Sequence, residues 1–330
     1  MPTLTPTDRL LAELERADLL PPVQARAIAE DEHTRPFSLH YELRALLYLG
    51  VTLLAGGLGV LVYQNRDTLG QEVITGLITV AMLACFWYAA RHRTAFTWGE
   101  APRTSIAADY LLLLGCLLFV VLEGYVQYQY GVFGQRYGLV TLLPTLVFFP
   151  LAYRYDHRGV LGLGIAAVGA WVGVSTSPLA VLHRTFDSQL FAGPALGLGL
   201  VLVAAGLASE YWRRKPHFAF TYLAVGANLA ELGALGRAFD SSKAAAVPWL
   251  LLMLVLAAGL VWHARRTQSY LFLLLGVAYG YVAVTYLVVL GLSAIDKELI
   301  FTPLVVLYFP ATLIGLVLLF LNIKQILRLK

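Results

Sequence analysis

Asn228 and Glu231 are the residues of this sequence best placed to do chemistry. They are three positions apart and therefore share one face of a helix, about a turn from each other. Both sit inside an apolar stretch, 217–238, that is long enough to cross a bilayer. With a rise of about 1.5 Å per residue, Asn228 lies roughly 17 Å and Glu231 roughly 21 Å along that helix. A charged side chain at the bilayer centre costs about 2.5–3.5 kcal/mol or more, so an intramembrane acid points to a cation or proton site, or to a polar anchor for a small solute. The competing reading is interhelical glue, with Asn228 bonded to a neighbouring backbone and Glu231 protonated or paired. The flanking Ala224, Gly226, Ala227, Ala230, Gly233 and Ala234 let other helices approach closely. Arg237, six positions from Glu231, is not its same-helix partner.

A second polar group ends the stretch 106–128. Glu123, Gln127 and Tyr130 recur at i, i+4 and i+7 and share a face. Glu123 is roughly 26 Å along its helix, at the outer boundary and within reach of water. This rim suits an entry vestibule or a contact with a sugar or lipid headgroup, and it equally suits an ordinary aromatic belt. Tyr279 and Tyr286 are seven apart in a later stretch, and buried tyrosine hydroxyls need partners that Asn228 or Glu231 can supply. No HxxxH or HExxH pair, Walker loop, GxSxG or dinucleotide fingerprint occurs, so no metal, cofactor or catalytic residue is assigned. Cys85 and Cys116 fall in different apolar stretches and read as small buried side chains, not a disulfide.

The elements that position these groups are ten apolar stretches at about 43–63, 72–90, 106–128, 138–153, 159–177, 192–210, 217–238, 247–263, 270–292 and 301–323. The fold class is all-α, a polytopic bundle of ten membrane helices. With 59% hydrophobic and 13% charged residues, the composition is far from the roughly 25% charged of a soluble domain. The 24 basic residues alternate between loops. Eighteen fall on the side of the amino terminus and six on the other, which puts both termini in the cytoplasm. They are scattered, with no continuous stripe to track nucleic-acid phosphates. Prolines 144, 150, 303 and 310 lie within two of the stretches, where freed carbonyls can line a cavity.

Residues 1–37 precede the bundle, 38–330. They read as two short amphipathic helices, the first starting at Thr7-Asp8 with Leu10, Leu11 and Leu14 on one face, the second after Pro21-Pro22. So small a pair cannot hold its own core and must dock on the membrane surface, the loops or a cytoplasmic protein partner. Glu123 and Glu231 are 108 residues apart, as are Arg158 and Arg266, a spacing that fits weak parallel four-helix repeats at 72–177 and 192–292 and equally the recurrence produced by regular span lengths.

The segment RLLAELERADLLPPVQARAIAEDE followed by YLGVTLLAGGLGVLVYQNRDTLG resembles the start of an uncharacterised prokaryotic family of multi-pass membrane proteins, a domain of unknown function. That family has a Leu-rich helical preface and a Gly-rich first span ending in Asn-Trp-Asp. Asn65 and Asp67 match the ends of the triplet, Arg66 replaces the Trp, and Asp18 stands near an expected Gly. The resemblance covers about residues 9–90 and implies a bacterial cytoplasmic membrane, with no known activity and no site residues.

Three readings fit: transport or permeation of a small solute or ion, a non-transporting scaffold or sensor acting through residues 1–37, and a lipid- or glycan-processing enzyme using Glu123 and the tyrosine rim. Transport expects a hydrated cavity reaching Asn228 and Glu231. The enzyme needs convergent acids near the outer face. Lipid is the one contact common to all three.

Overall fold

A computed structural model describes residues 11, 14–15, 20–22, 24–25, 40–64, 71–101, 105–134, 136–176, 188–293 and 298–322. Ten α-helices account for the expected stretches: α1 His40–Gln64, α2 Gln71–Arg91, α3 Ile106–Tyr130, α4 Tyr137–Tyr155, α5 Arg158–Thr176, α6 Ser188–Tyr211, α7 Ala219–Phe239, α8 Lys243–Thr267, α9 Tyr270–Ser293 and α10 Glu298–Leu321. No strand occurs among the described residues. Eight of the helices, α2 to α9, are long and apolar enough to cross a membrane, whereas α1 and α10 contain shorter described apolar stretches, Ala45–Val60 and Val306–Gly315.

Packing divides the chain into two units, 1–58 and 59–330. In the first, Leu11 and Ala25 are buried while Leu14 is exposed, and Pro22, Gln24 and Ala25 are helical. Leu14 therefore does not share the buried environment of Leu11, a departure from the expected single apolar face. The rest of the amino-terminal pair, and Asn65, Arg66 and Asp67, lie outside the described residues. Within this unit α1 shows Leu43, Leu46, Leu49 and Leu53 as exposed apolar side chains, as a lipid-contacting helix does.

The second unit is built from antiparallel hairpins, α2–α3, α4–α5, α6–α7 and α8–α9. Helix α7 is its centre and touches α5, α6, α8 and α9. Small residues allow this, because apolar burial gives little drive between helices in lipid and close van der Waals packing must replace it. A Cβ on Gly233 would stand 2.5 Å from the Leu196 nitrogen and 2.7 Å from the Ala192 oxygen of α6. One on Gly226 would meet Leu202 at 2.8 Å. On its other side α7 presents Ala230, Ala234 and Ala238 to Leu250 and Met253 of α8 and Ala283 of α9. Cys85 and Cys116 are free and buried.

Loops at one end of this unit are bound to one another. The 92–101 segment, the α4–α5 turn at Asp156-His157 and the α6–α7 loop meet through hydrogen bonds. This is the arginine-rich end. Trp87, Trp98 and Trp262 sit there, exposed, each beneath a guanidinium: Arg91 at 5.0 Å, Arg214 at 5.0 Å and Arg266 at 5.8 Å from the ring centroid. Amphipathic rings at helix ends are what a membrane interface selects.

Candidate functional site

Glu231 is completely buried, with 0% of its surface exposed, and neither carboxyl oxygen has a hydrogen-bond partner among the described residues. It lies on α7, the most enclosed of the spans. One turn earlier, the Asn228 amide nitrogen donates to the Ala224 carbonyl at 2.7 Å, and the Asn228 oxygen accepts from the Tyr279 hydroxyl of α9 at 2.7 Å. The Tyr279 hydroxyl is also within electrostatic range of Glu231. Asn228 and Tyr279 thus form the interhelical bond that sequence left as one possibility, while Glu231 takes no part in it. Arg237 turns away and lies over Trp249 at 5.6 Å. An unpaired buried charge is far more costly than a neutral acid, and the surrounding packing supplies no partner for the charged form.

The other candidate residues are distributed differently from the expected rim. Glu123, expected to reach water, is 8% exposed and its Oε1 is unpartnered, because α3 packs against α2, α4 and α5. Gln127 is used by the backbone: its Nε2 donates to Gly134 O at 3.0 Å and its Oε1 accepts from Phe133 N–H at 2.9 Å. Together with the left-handed Gly131, φ 57°, it shapes the α3–α4 turn. Tyr130 is exposed at the helix end. Tyr286 is directed to the Ala238 carbonyl, 3.5 Å away, and not to Glu231. The structure therefore joins Asn228 to Tyr279, with Glu231 one turn further along α7 but not bonded to either, and leaves Glu123, Gln127, Tyr130 and Tyr286 outside that pair.

A second polar cluster was not anticipated. Asp156 caps α4 in the left-handed region, φ 58°. Its Oδ1 lies 2.9 Å from Lys215 Nζ and 2.6 Å from His217 Nε2, and its Oδ2 accepts from the Ala101 N–H at 2.6 Å. Lys215, itself at φ 52°, donates its backbone N–H to Trp98 O at 2.7 Å, and Ser209 Oγ donates to the carbonyls of Arg214 and Lys215. Burial works against ionisation of Asp156, but the Ala101 N–H, Lys215 and His217 outweigh it and hold the carboxyl below its usual range. Beside it, Arg158 pairs with Glu100 at 3.2 Å across a more exposed surface. The available sequence signal was an acid in the tight, otherwise basic turn Tyr-Asp-His-Arg, together with a lysine confined by a following proline.

Two cavities accompany these groups. A polar cleft of about 40 Å³, bordered by His92, Glu100, Asp109, Tyr155 and Asp156, has room for water. An apolar groove of about 190 Å³ runs between α6 and α8 over α7. Neither is lined by Asn228 or Glu231, so the hydrated cavity expected of a transporter does not reach those residues in either of these two cavities. Among the described residues, no three His, Cys, Asp or Glu side chains gather to hold a metal ion.

No curated protein and no solved structure matches the chain. The membrane-length helices and their exposed apolar faces make it an integral membrane protein in contact with lipid. Residues 12–161, which extend from the amino-terminal segment to the first turn of α5 and stop short of Glu231, match the family described as predicted membrane protein (DUF2157), an uncharacterised multi-pass membrane family of the kind the opening of the chain resembles.

Proposed function

We propose that this protein moves a small solute or ion across the membrane and that Glu231 carries the proton or cation on which the movement depends. The observation that carries the reading is the isolation of the Glu231 carboxyl, fully buried and without a hydrogen bond to any described residue. Structural polar residues in membrane bundles are kept because they bond across helices. Asn228 and Tyr279 do so; Glu231 does not. A site that takes up and releases a cation needs an acid whose charged form is not already satisfied by the protein. Ionising Glu231 requires water or a cation to enter, and the closed packing around it corresponds to an occluded arrangement in which the acid is neutral. The lysine and arginine distribution supports placing the arginine-rich end in the cytoplasm, with both termini inside, and the resemblance of the opening segment to a prokaryotic family supports the cytoplasmic membrane of a bacterium.

The test follows solvent access to a fully buried neighbour. Ala234→Cys, introduced with Cys85→Ala and Cys116→Ala, is reconstituted in liposomes and exposed to a membrane-impermeant maleimide. Ala234 is 0% exposed, so labelling requires opening. The expected result is labelling that increases as the pH is raised and that Glu231→Gln suppresses. Complete protection of the cysteine at every pH would identify a static bundle and refute transport by this route.

A further inference from the structure

The apolar groove has a feature that the acid site does not explain: it is flanked by the exposed apolar side chains Leu207 and Val255 and ends beside Arg266. Its floor is Leu223 and Ala227 of α7, and its walls include Leu207 of α6 and Leu256 of α8. The gap exists because small residues stand where larger ones would close it. A Cβ added to Gly259, on the α8 wall, would meet nothing within 4 Å. An apolar gap beside lipid forfeits van der Waals contacts unless a chain fills it.

At one end the lining changes character. Trp262 and His263 complete the groove. Arg266 lies over the Trp262 ring and is close enough to act electrostatically on His263, while Arg265 and Arg266 are exposed. The opposite wall, α6, is followed by exposed Arg213 and Arg214, the latter lying over Trp98. Glu210, 3.7 Å from His263, is the acid that faces this end. Arg266 is the guanidinium placed against this end, and a guanidinium offers paired donors matched to phosphate oxygens. An interfacial tryptophan beside a basic helix end marks the depth at which a phospholipid passes from acyl chain to headgroup.

We infer that the α6–α8 groove is a binding site for one anionic phospholipid, with an acyl chain seated over Ala227 and Gly259 and the phosphate held by Arg266 beside Trp262. The groove supplies the shape and Arg266 the charge selection. Neither role requires the proposed movement of solute, and the lipid site stands or falls separately from it.

The experiment uses the full chain in non-ionic detergent, with native mass spectrometry after addition of phosphatidylglycerol or phosphatidylcholine carrying identical acyl chains. Phosphatidylglycerol is expected to be retained about tenfold more strongly, equivalent to about 1.4 kcal/mol. Arg266→Gln should reduce that preference to near unity while keeping some retention of both lipids. Gly259→Leu, which fills open space, should reduce retention of both. Phosphatidylglycerol brominated on its acyl chain should quench part of the tryptophan emission, and Trp262→Phe should remove the quenched part. Equal retention of the two lipids by the unaltered protein, an unchanged preference in Arg266→Gln, or undiminished binding to correctly folded Gly259→Leu would each overturn the assignment.

Discussion

Replacing Asp156 by Asn tests how the loops of the arginine-rich end are held. The substitution preserves volume and removes one charge. In the native protein the carboxylate receives the Ala101 N–H at 2.6 Å, Lys215 Nζ at 2.9 Å and His217 Nε2 at 2.6 Å. The Lys215 side chain is 1% exposed and that of Asp156 7%, so solvent cannot take over the lysine charge. Breaking a buried pair by removing one partner costs about 3–5 kcal/mol. At about 1.4 kcal/mol per decade, the folded fraction relative to unfolded should fall by roughly two to three and a half orders of magnitude. Reversible unfolding in mixed micelles, followed by tryptophan emission, measures this. Asp156→Asn combined with Lys215→Met removes both charges and should recover most of the loss. The pH dependence has a definite sign. The folded-state carboxyl titrates below its unfolded value of about 3.9, so its contribution is complete above that value and is lost as the pH falls through the lower folded one. That acid limb should be missing from Asp156→Asn. A single variant within about 1 kcal/mol of the native protein, or a double variant as unstable as the single, would refute the buried-clamp reasoning.

Three further outcomes follow from the packing. Gly233→Ala forces a Cβ against the Leu196 nitrogen and Ala192 oxygen and should cost about 1–3 kcal/mol, seen as a lower midpoint of thermal unfolding in detergent. Gly197→Ala, whose Cβ meets nothing, serves as its control and should leave the midpoint unchanged or raise it. A double-mutant cycle between Tyr279→Phe and Asn228→Leu should give a coupling of about 0.6 kcal/mol and no more than about 1.7, the range for hydrogen bonds between membrane helices; zero coupling would remove the α7–α9 bond from the account. Gln127→Ala should accelerate hydrogen exchange at the Phe133 amide by loosening the α3–α4 turn, while a substitution at exposed Tyr130 should not.

What the sequence revealed and concealed divides along a physical line. Helix existence depends on hydropathy summed over twenty residues, and all ten stretches are helices, most with ends within two or three residues of expectation. The larger misses are at α6 and α8, which begin at Ser188 and Lys243 and not near 192 and 247, because interfacial residues such as Ala244 to Ala246 continue the helix beyond the apolar run. Glu231 was legible because an intramembrane acid is rare. Its lack of a partner was not legible, since that depends on side chains brought from other helices. The same limit hid Tyr279 behind Asn228, 51 positions away, and Lys215 behind Asp156. Charge counting treats a lysine as a topology signal wherever it points, and Lys215 points inward. Gln127 shows the converse: a shared helical face placed it in a solute-facing rim, whereas the chain reversal at Gly131–Gly134 had a nearer use for its amide.

The contrast between Asp156 and Glu231 is the strongest structural reason to treat the latter as functional. Both acids are buried in one bundle, under the same demand that polar groups be satisfied. Asp156 meets it with three donors from two segments, two of them capable of bearing positive charge. Glu231 has Asn228 one turn away and Tyr279 within electrostatic range, yet their hydrogen bonds are made without it. A glutamine or leucine would meet the packing need at that position without placing an ionisable group there. The acid is therefore not explained by the arrangement in which it is closed, and the proposed transport cycle supplies the state in which its charge would have a use.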